Sequence, residues 1–494
     1  MVSKIEQEAR AVTGSARVSA SMSASDALLW TMGRDPALRS TITAVALLDR
    51  SPKWEPLVAR VEDLVASIPQ LRSTVAPAPA SVGSLQWVED PSFELGHHLR
   101  RIRSPRPATL RTVLDLAQQI AIPAFDPAIP PWEVTLVGGL EGGGAALVVK
   151  VHHAVVDGVG GISLVEMLLD EQRPLRRRAP APSPGRDPSA IHIAHVPETL
   201  VSTFGRSFQF ASAAFRAAIH PDESLRVAGA AALSAARLLM PSPKPLSPLL
   251  RGRGIHRRFE VLDFSYEQLS QAAAAAGGTV NDLFVAAVLD GLRRYHAEHG
   301  FPVARLRMTM PVSIRHDTDP VTGNRFVPVR FVLPTVAGDA AVRVRGVHEI
   351  AGEWKHAPGL ELTSRLGGAL SLLPRALATA AFAAMLKGSD FVATNVSGPR
   401  TESFLAGARL DRLYAFAPTS GAALNVALLS VVERVCVGIA IDTASISDSE
   451  VLLGCLEAAF DELLQVQQVA AGGETEGEAG GAGTGGKEEG DSRR

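Results

Sequence analysis

The sequence is short of several features that commonly announce a function. It holds two cysteines, Cys436 and Cys455, in 494 residues, too few for a disulfide framework or a cysteine-based zinc site. Such sparing use suits a reducing compartment such as the cytosol. It has no excess of positive charge, with 49 Lys and Arg against 51 Asp and Glu, a net of −2. Electrostatic binding to nucleic acid needs a basic surface, so nucleic acid is excluded as the expected partner. It has no apolar run of the ~18–20 residues required to span a bilayer. The nearest, Val227–Met240 and Ala376–Leu386, are Ala-rich, and Arg237 interrupts the first. The opening residues, with Lys4, Glu6, Glu8 and Arg10, lack the apolar stretch of a signal peptide. No GxSxG elbow occurs, which argues against the common serine-hydrolase route. A soluble or peripherally attached protein remains, and the cytoplasm is its expected location.

What is present is ordinary globular composition, with 46 % hydrophobic and 20 % charged residues. The length predicts two or three domains. Residues 1–20 read as a loose leader and 21–171 as a first α/β unit. Within it Thr41–Leu48 is a predicted strand, and Leu57–Ile68 and Thr109–Ile122 are predicted helices. Trp132–Val137 and Ala145–Val151 form a predicted hairpin around the Gly-rich turn Gly138–Gly144. Residues 172–250 read as a linker with helices. Arg173, Arg176, Arg177 and Arg178 lie there among prolines, and Thr199–Met240 is Ala-rich. Residues 251–470 repeat the α/β rhythm, with strands at Phe259–Phe264, Arg307–Val312, Arg325–Leu333, Leu424–Val432 and Val435–Asp442. Long helices are predicted at Val280–His299 and Ser447–Val466. The tail 471–494, with nine Gly and six acidic residues, cannot bury a core and is predicted disordered.

The chemistry concentrates in Lys150–Gly161, KVHHAVVDGVGG. A strand ends on His152 and His153, a short loop carries Asp157 and Gly158, and a helix follows. Polar groups at the end of a strand in an α/β sheet project into the crevice where ligands bind. The pattern HHxxxDG arises by chance on the order of 10⁻³ times in a chain of this composition. Two histidines and an aspartate could hold zinc. Adjacent strand residues point to opposite faces, however, so His152 and His153 do not readily share a metal, and no metal is expected. The same alternation sends one histidine to the crevice and the other into packing. His153 is the expected general base, since imidazole moves protons near neutral pH. Asp157 is expected to fix the loop, through an arginine or a hydrogen bond, or to orient the ring. Gly158 suits a positive φ or a close approach.

These residues resemble the bacterial wax ester synthase/diacylglycerol acyltransferase family, whose hallmark is HHAVVDG. The resemblance runs from about Ser21 to Leu464. Further blocks in the family's order are SASDALLW at Ser23–Trp30, WVEDPSFELGHHLR at Trp87–Arg100 and PPWE at Pro130–Glu133. They continue with TVNDLFVAAVLDGLRRY at Thr279–Tyr295, MPVSIR at Met310–Arg315, GNRFVPVRFVLPT at Gly323–Thr335 and NVSGPR at Asn395–Arg400. Pro131 stands where the family usually has Leu, and Ser397 where it usually has Pro.

The resemblance implies an α/β fold of the CoA-dependent acyltransferase type. Two related subdomains of mixed sheet would be flanked by helices, with an active-site tunnel at their junction. It implies transfer of a long-chain acyl group from acyl-CoA, a substrate rather than a bound cofactor, to diacylglycerol or a long-chain alcohol. His153 would act as base without an acyl-enzyme, and Asn281 is a candidate oxyanion donor or an N-cap. Pro131, Trp132, Asp282, Asn395 and Ser397 are implied to face substrate. A membrane or lipid-inclusion surface would supply the apolar substrates, with Arg173–Arg178 and Arg251, Arg253, Arg257 and Arg258 as candidate contacts. Two readings compete: a condensation-type acyltransferase using carrier-protein thioesters, and a catalytically idle lipid-binding protein.

Overall fold

The computed structural model describes residues 18–78, 85–172, 244–313, 322–324, 326–356 and 386–477, with single positions 379 and 383. The helix expected over Thr199–Met240, the arginines at 173–178 and the end of the tail lie outside them. The chain forms two compact units, the first of Met1–Asp263, Arg305–Leu333 and Ala357–Ser449, the second of Phe264–Ala304, Pro334–His356 and Glu450–Arg494.

The first unit begins with β1 (Val18–Ser21), α1 (Ala24–Met32), β2 (Thr41–Leu48), α2 (Trp54–Ser67), β3 (Ser73–Pro77) and β4 (Leu85–Glu89). There follow β5 (Leu99–Arg103), α3 (Leu110–Ala121), β6 (Trp132–Gly138), β7 (Ala145–His152), α4 (Gly158–Leu168) and β8 (Arg257–Ser265). Its later strands are β9 (Arg305–Ser313), β10 (Phe326–Pro334), β11 (Phe391–Ser397), β12 (Phe404–Leu405), β13 (Ala408–Phe416), β14 (Leu424–Val431) and β15 (Arg434–Asp442).

They build a six-stranded sheet in the order β12-β13-β2-β7-β6-β5, a second in the order β10-β9-β11-β14-β15-β8, and a three-stranded sheet β1-β4-β3. The fold is mixed α/β. β6 pairs β7 antiparallel and β5 parallel, while β11 pairs both β9 and β14 parallel.

The expected strand at Thr41–Leu48 and the hairpin of β6 and β7 are present, because alternating β-branched residues suit a half-buried pleat. β7 is central and apolar but for Lys150 and its last residue, His152. Lys150, 1 % exposed, donates to Glu133 Oε1 on its register partner in β6 (2.8 Å) and to the Pro123 carbonyl (2.9 Å). Burial lowers its pKa to about 8. This pair ties the proline-rich passage before β6 to the strand that ends at the histidines.

Three expectations need correction. The leader ends earlier than residue 20, since Val18–Ser21 pairs with β4 and Ser19 Oγ lies 2.8 Å from Ser73 Oγ. The first sheet is not built from residues 21–171 alone. β13 pairs antiparallel with β2 along Leu410–Phe416, so the second half of the chain completes the sheet of the first. The closing helix runs to Gly477 rather than Val466, because no proline or cap interrupts Gln465–Ala471.

The second unit holds α5 (Tyr266–Ala275), α6 (Val280–Glu298), α7 (Ala340–His356) and α8 (from Ser449). A capping box starts α6. Thr279 accepts from the Asp282 N–H, and Asp282 accepts from the Thr279 N–H at 2.9 Å. Gly291 of α6 lies so close to α8 that an added Cβ would fall 2.6 Å from Leu456. Among the described residues no single helix is long and apolar enough to cross a membrane. The pair α5 and α6 passes by length and composition, with an 89° bend between its members.

Candidate active site

β7 delivers His152 as its last residue, and the loop 153–157 joins it to α4. Asp157 is the N-cap of α4. Its carboxylate accepts the Gly160 N–H at 2.8 Å, and its carbonyl accepts the Gly161 N–H. Gly158 is the first residue of that helix and lacks the positive φ predicted for it. An added Cβ would meet Val396 at an ordinary 3.5 Å. The HHxxxDG spacing thus sets a strand end and a capped helix start side by side.

The two histidines differ as the strand alternation requires. His152 is buried, edge-on to Trp30 at 4.8 Å, with Gly33 leaving room for its Nε2. Its Nδ1 accepts the Ala154 N–H at 3.0 Å, so any proton of the neutral ring sits on Nε2. Burial pushes its pKa down to about 3, which keeps it neutral. It is a packing and turn-closing residue.

His153 is half-buried and lines an internal cavity. Its Nδ1 lies 2.7 Å from the Asn324 Oδ1, an amide oxygen that only accepts. The proton is therefore on Nδ1, and Nε2 keeps its lone pair. Burial lowers the His153 pKa; the Asn324 bond and the charges of Asp157 and Asp26 oppose that shift.

Asn324 was not singled out from the sequence, nor was Asp26. The Asp26 Oδ1 accepts both the Asn324 N–H (3.0 Å) and its Nδ2 (2.7 Å), and Nδ2 also donates to the His153 carbonyl at 2.6 Å. Gly323, at φ +86°, makes the turn that delivers Asn324, and its N–H bonds the Val155 carbonyl. The signal for both residues lay in the blocks SASDALLW and GNRF, but nothing local ties either to His153.

The cavity measures about 250 Å³. One wall is apolar: Val61, Leu64 and Val65 of α2, Val149 and Val151 of β7, and Ile162, Val165 and Leu168 of α4. Ile162 and Val165 are half-buried, packing against the core while they border the cavity. The wall on the second sheet carries polar groups, including Thr309, Ser313, Thr394, Asn395 and Asn425. His153 lines the same cavity as both walls.

Trp132 also lines it, held rigid by Nε1 donating to the Leu71 carbonyl at 2.7 Å and by stacking on His98 at 4.5 Å. Pro131 is buried, and its carbonyl accepts the His152 N–H. Ser397 ends β11, exposed, and is not among the lining residues. Asn281 and Asp282 belong to the second unit, and neither is among the lining residues. Thr279, not Asn281, is the N-cap of α6. The Asp282 carboxylate bonds Thr279 Oγ1 and His348 Nδ1 (2.7 and 2.8 Å), the contacts of a cap rather than of a substrate-facing group.

Among the described residues no group of three His, Cys, Asp or Glu could hold a metal. Replacing Asp157 with alanine removes the α4 cap. The expected cost is about 0.5–2 kcal/mol, read as a lower melting temperature together with weaker activity. Asp157→Asn, which can still cap, should melt near the wild-type temperature. An inactive Asp157→Ala with an unchanged melting temperature would instead assign the carboxylate to orienting His153.

Two family models match the chain. The wax ester synthase/diacylglycerol acyltransferase catalytic domain matches residues 22–284, and the corresponding C-terminal domain matches residues 322–464. A Mycobacterium tuberculosis protein named as a candidate diacylglycerol O-acyltransferase is 34 % identical over 457 residues, covering 91 % of this chain and 93 % of its own. Another so named from the same organism is 27 % identical over 469 residues, covering 90 % and 97 %.

Among solved structures, the wax ester synthase/diacylglycerol acyltransferase of Marinobacter aquaeolei VT8 aligns with a TM-score of 0.62 at 20 % identity. It covers 91 % of this chain and all of that one. The first condensation domain of the calcium-dependent antibiotic synthetase aligns at 0.59 and 17 % identity, covering 91 % and 97 %. At these identities the structures establish the fold, that of the CoA-dependent acyltransferases.

Proposed function

The chain belongs to the wax ester synthase/diacylglycerol acyltransferase family and is an acyltransferase; from that premise we propose that it moves a long-chain acyl group from acyl-CoA to the hydroxyl of diacylglycerol or a long-chain alcohol. The observation that carries this reading is the free Nε2 lone pair of His153 facing an apolar cavity. In the proposed step Nε2 takes the hydroxyl proton as that oxygen attacks the thioester carbonyl. The tetrahedral intermediate collapses, the C–S bond breaks, and the imidazolium returns its proton to the departing thiolate. No acyl-enzyme forms. Asn395, on the cavity wall, is the proposed oxyanion donor.

The apolar wall of α2, β7 and α4 is the proposed seat of the acyl chain. The lining positions from Gly158 to Leu168 extend along ~15 Å of helix, enough for much of a long chain. Access to such substrates is proposed to be from a lipid surface visited peripherally.

The deciding experiment incubates purified protein with labelled palmitoyl-CoA and either hexadecanol or diacylglycerol. Wax ester or triacylglycerol is the expected product. No product with either acceptor would remove the reading and leave the condensation-type and lipid-binding alternatives.

A pH profile tests the base. The active form is the neutral ring, and burial lowers the pKa from its ordinary 6.5. Rates should therefore hold as the pH falls through 6.5 and decline only below it. An inflection at or above pH 6.5 would contradict that order.

A further inference from the structure

We propose that Asn324 and Asp26 are positioning residues for His153, fixing the tautomer that leaves Nε2 free to accept a proton. The proposal rests on the reading of His153 as the base.

The argument is one of donors and acceptors. An amide presents either an oxygen or an NH₂ group to a neighbour, and only the oxygen accepts. Facing His153 Nδ1, the oxygen demands a proton on Nδ1. The opposite orientation would offer NH₂ to Nδ1 and drive the proton onto Nε2, abolishing the base.

Two groups forbid that flip. Nδ2 of Asn324 points at the Asp26 carboxylate and at the His153 carbonyl, and neither can donate while Asp26 is ionised. A flipped amide would set its oxygen against both. Asp26 is itself held. It is 4 % exposed, its N–H bonds Ser23 Oγ, and the same Oδ1 accepts the Asn324 backbone N–H. Burial raises its pKa, while the Ser23 and Asn324 hydrogen bonds, the nearby His153 and its place in the first turn of α1 favour the negative charge.

The arrangement is therefore a chain of fixed polarity from carboxylate to amide to imidazole. It joins segments 298 and 171 residues apart. A loop anchor alone would not require the amide oxygen to meet Nδ1. The titratable neighbours of His153 are Asp26, Asp157 and His152, and none of the hydrogen bonds described above for the latter two competes for Nδ1.

The test pairs kinetics with nitrogen NMR of protein labelled with ¹⁵N-histidine. The signals of His153 are assigned by their loss in His153→Gln. Wild type should show the proton on Nδ1. Asn324→Leu, similar in shape but without polar atoms, should shift His153 toward the Nε2–H form. It should lower kcat by about 10²-fold or more, with a much smaller change in KM. Asp26→Asn keeps an accepting oxygen and should give a mixed tautomer and a smaller loss. That variant carries the test should Asn324→Leu fail to fold.

The Nε2–H form in wild type, or an Asn324→Leu variant that loses its rate with the tautomer unchanged, would overturn the positioning role. His153→Gln separates the two claims. Full activity in that variant removes the base assignment. An inactive His153→Gln beside an active Asn324→Leu removes only the positioning role.

Discussion

His153→Gln should transfer acyl groups about 10²–10⁴-fold more slowly than wild type, the usual loss when a general base is removed. The substitution is chosen for what it keeps. Glutamine fills a comparable volume, and its amide N–H can still reach the Asn324 Oδ1, which the imidazole bonds at 2.7 Å. What it lacks is a basic nitrogen facing the cavity. The melting temperature should change little, so the loss would be chemical rather than conformational. His152→Gln is the contrasting control. That ring packs on Trp30, its Nδ1 closes the turn at Ala154, and it is proposed to touch no substrate. Its replacement should lower stability more than it lowers the rate of the folded fraction. Retention of more than about a tenth of the wild-type rate in His153→Gln would end the case for general-base catalysis there.

Val165→Trp should divide acyl donors by length. Val165 lies on α4 between Ile162 and Leu168 on the apolar wall. A tryptophan there takes up part of the apolar volume of the cavity. Transfer from palmitoyl-CoA is expected to fall about tenfold or more, a size typical of steric exclusion in an apolar pocket, while butyryl-CoA is spared. The measurement is the rate across a series of chain lengths at fixed acceptor. An equal fall at every length would place the acyl chain elsewhere in the cavity, along the wall carrying Thr309, Thr394 and Asn395.

The parts of this molecule legible in its sequence are those set by neighbours in the chain. The β6–β7 hairpin, the two histidines on opposite faces, and the helix after Asp157 follow from period, turn chemistry and capping. They appear close to where the residues placed them. Alternation separates the two histidines without saying which of them meets the crevice, and the structure puts His153 among the residues that line the cavity. Long-range pairing was not legible. β13 is not among the strands predicted from the sequence, and its register partner is β2, more than 360 residues earlier. Asn324 sits in a short turn with no periodic pattern, and its meaning comes from Asp26 and His153 only after folding. α7 was missed because Val342 is exposed and charged residues dilute its apolar stripe.

The pairing of β13 with β2 bears on how the protein is made. β2 and β7 sit in the middle of the sheet whose end carries the histidines, and β2 has one neighbour that the ribosome supplies only after residue 408. Until then β2 presents an open edge of unpaired backbone groups, a hazard for misassociation of nascent chains. The partner of the His153 ring also comes from the second half of the chain, with Asn324. An emerging chain would thus hold an unfinished sheet and an unset imidazole for most of its synthesis.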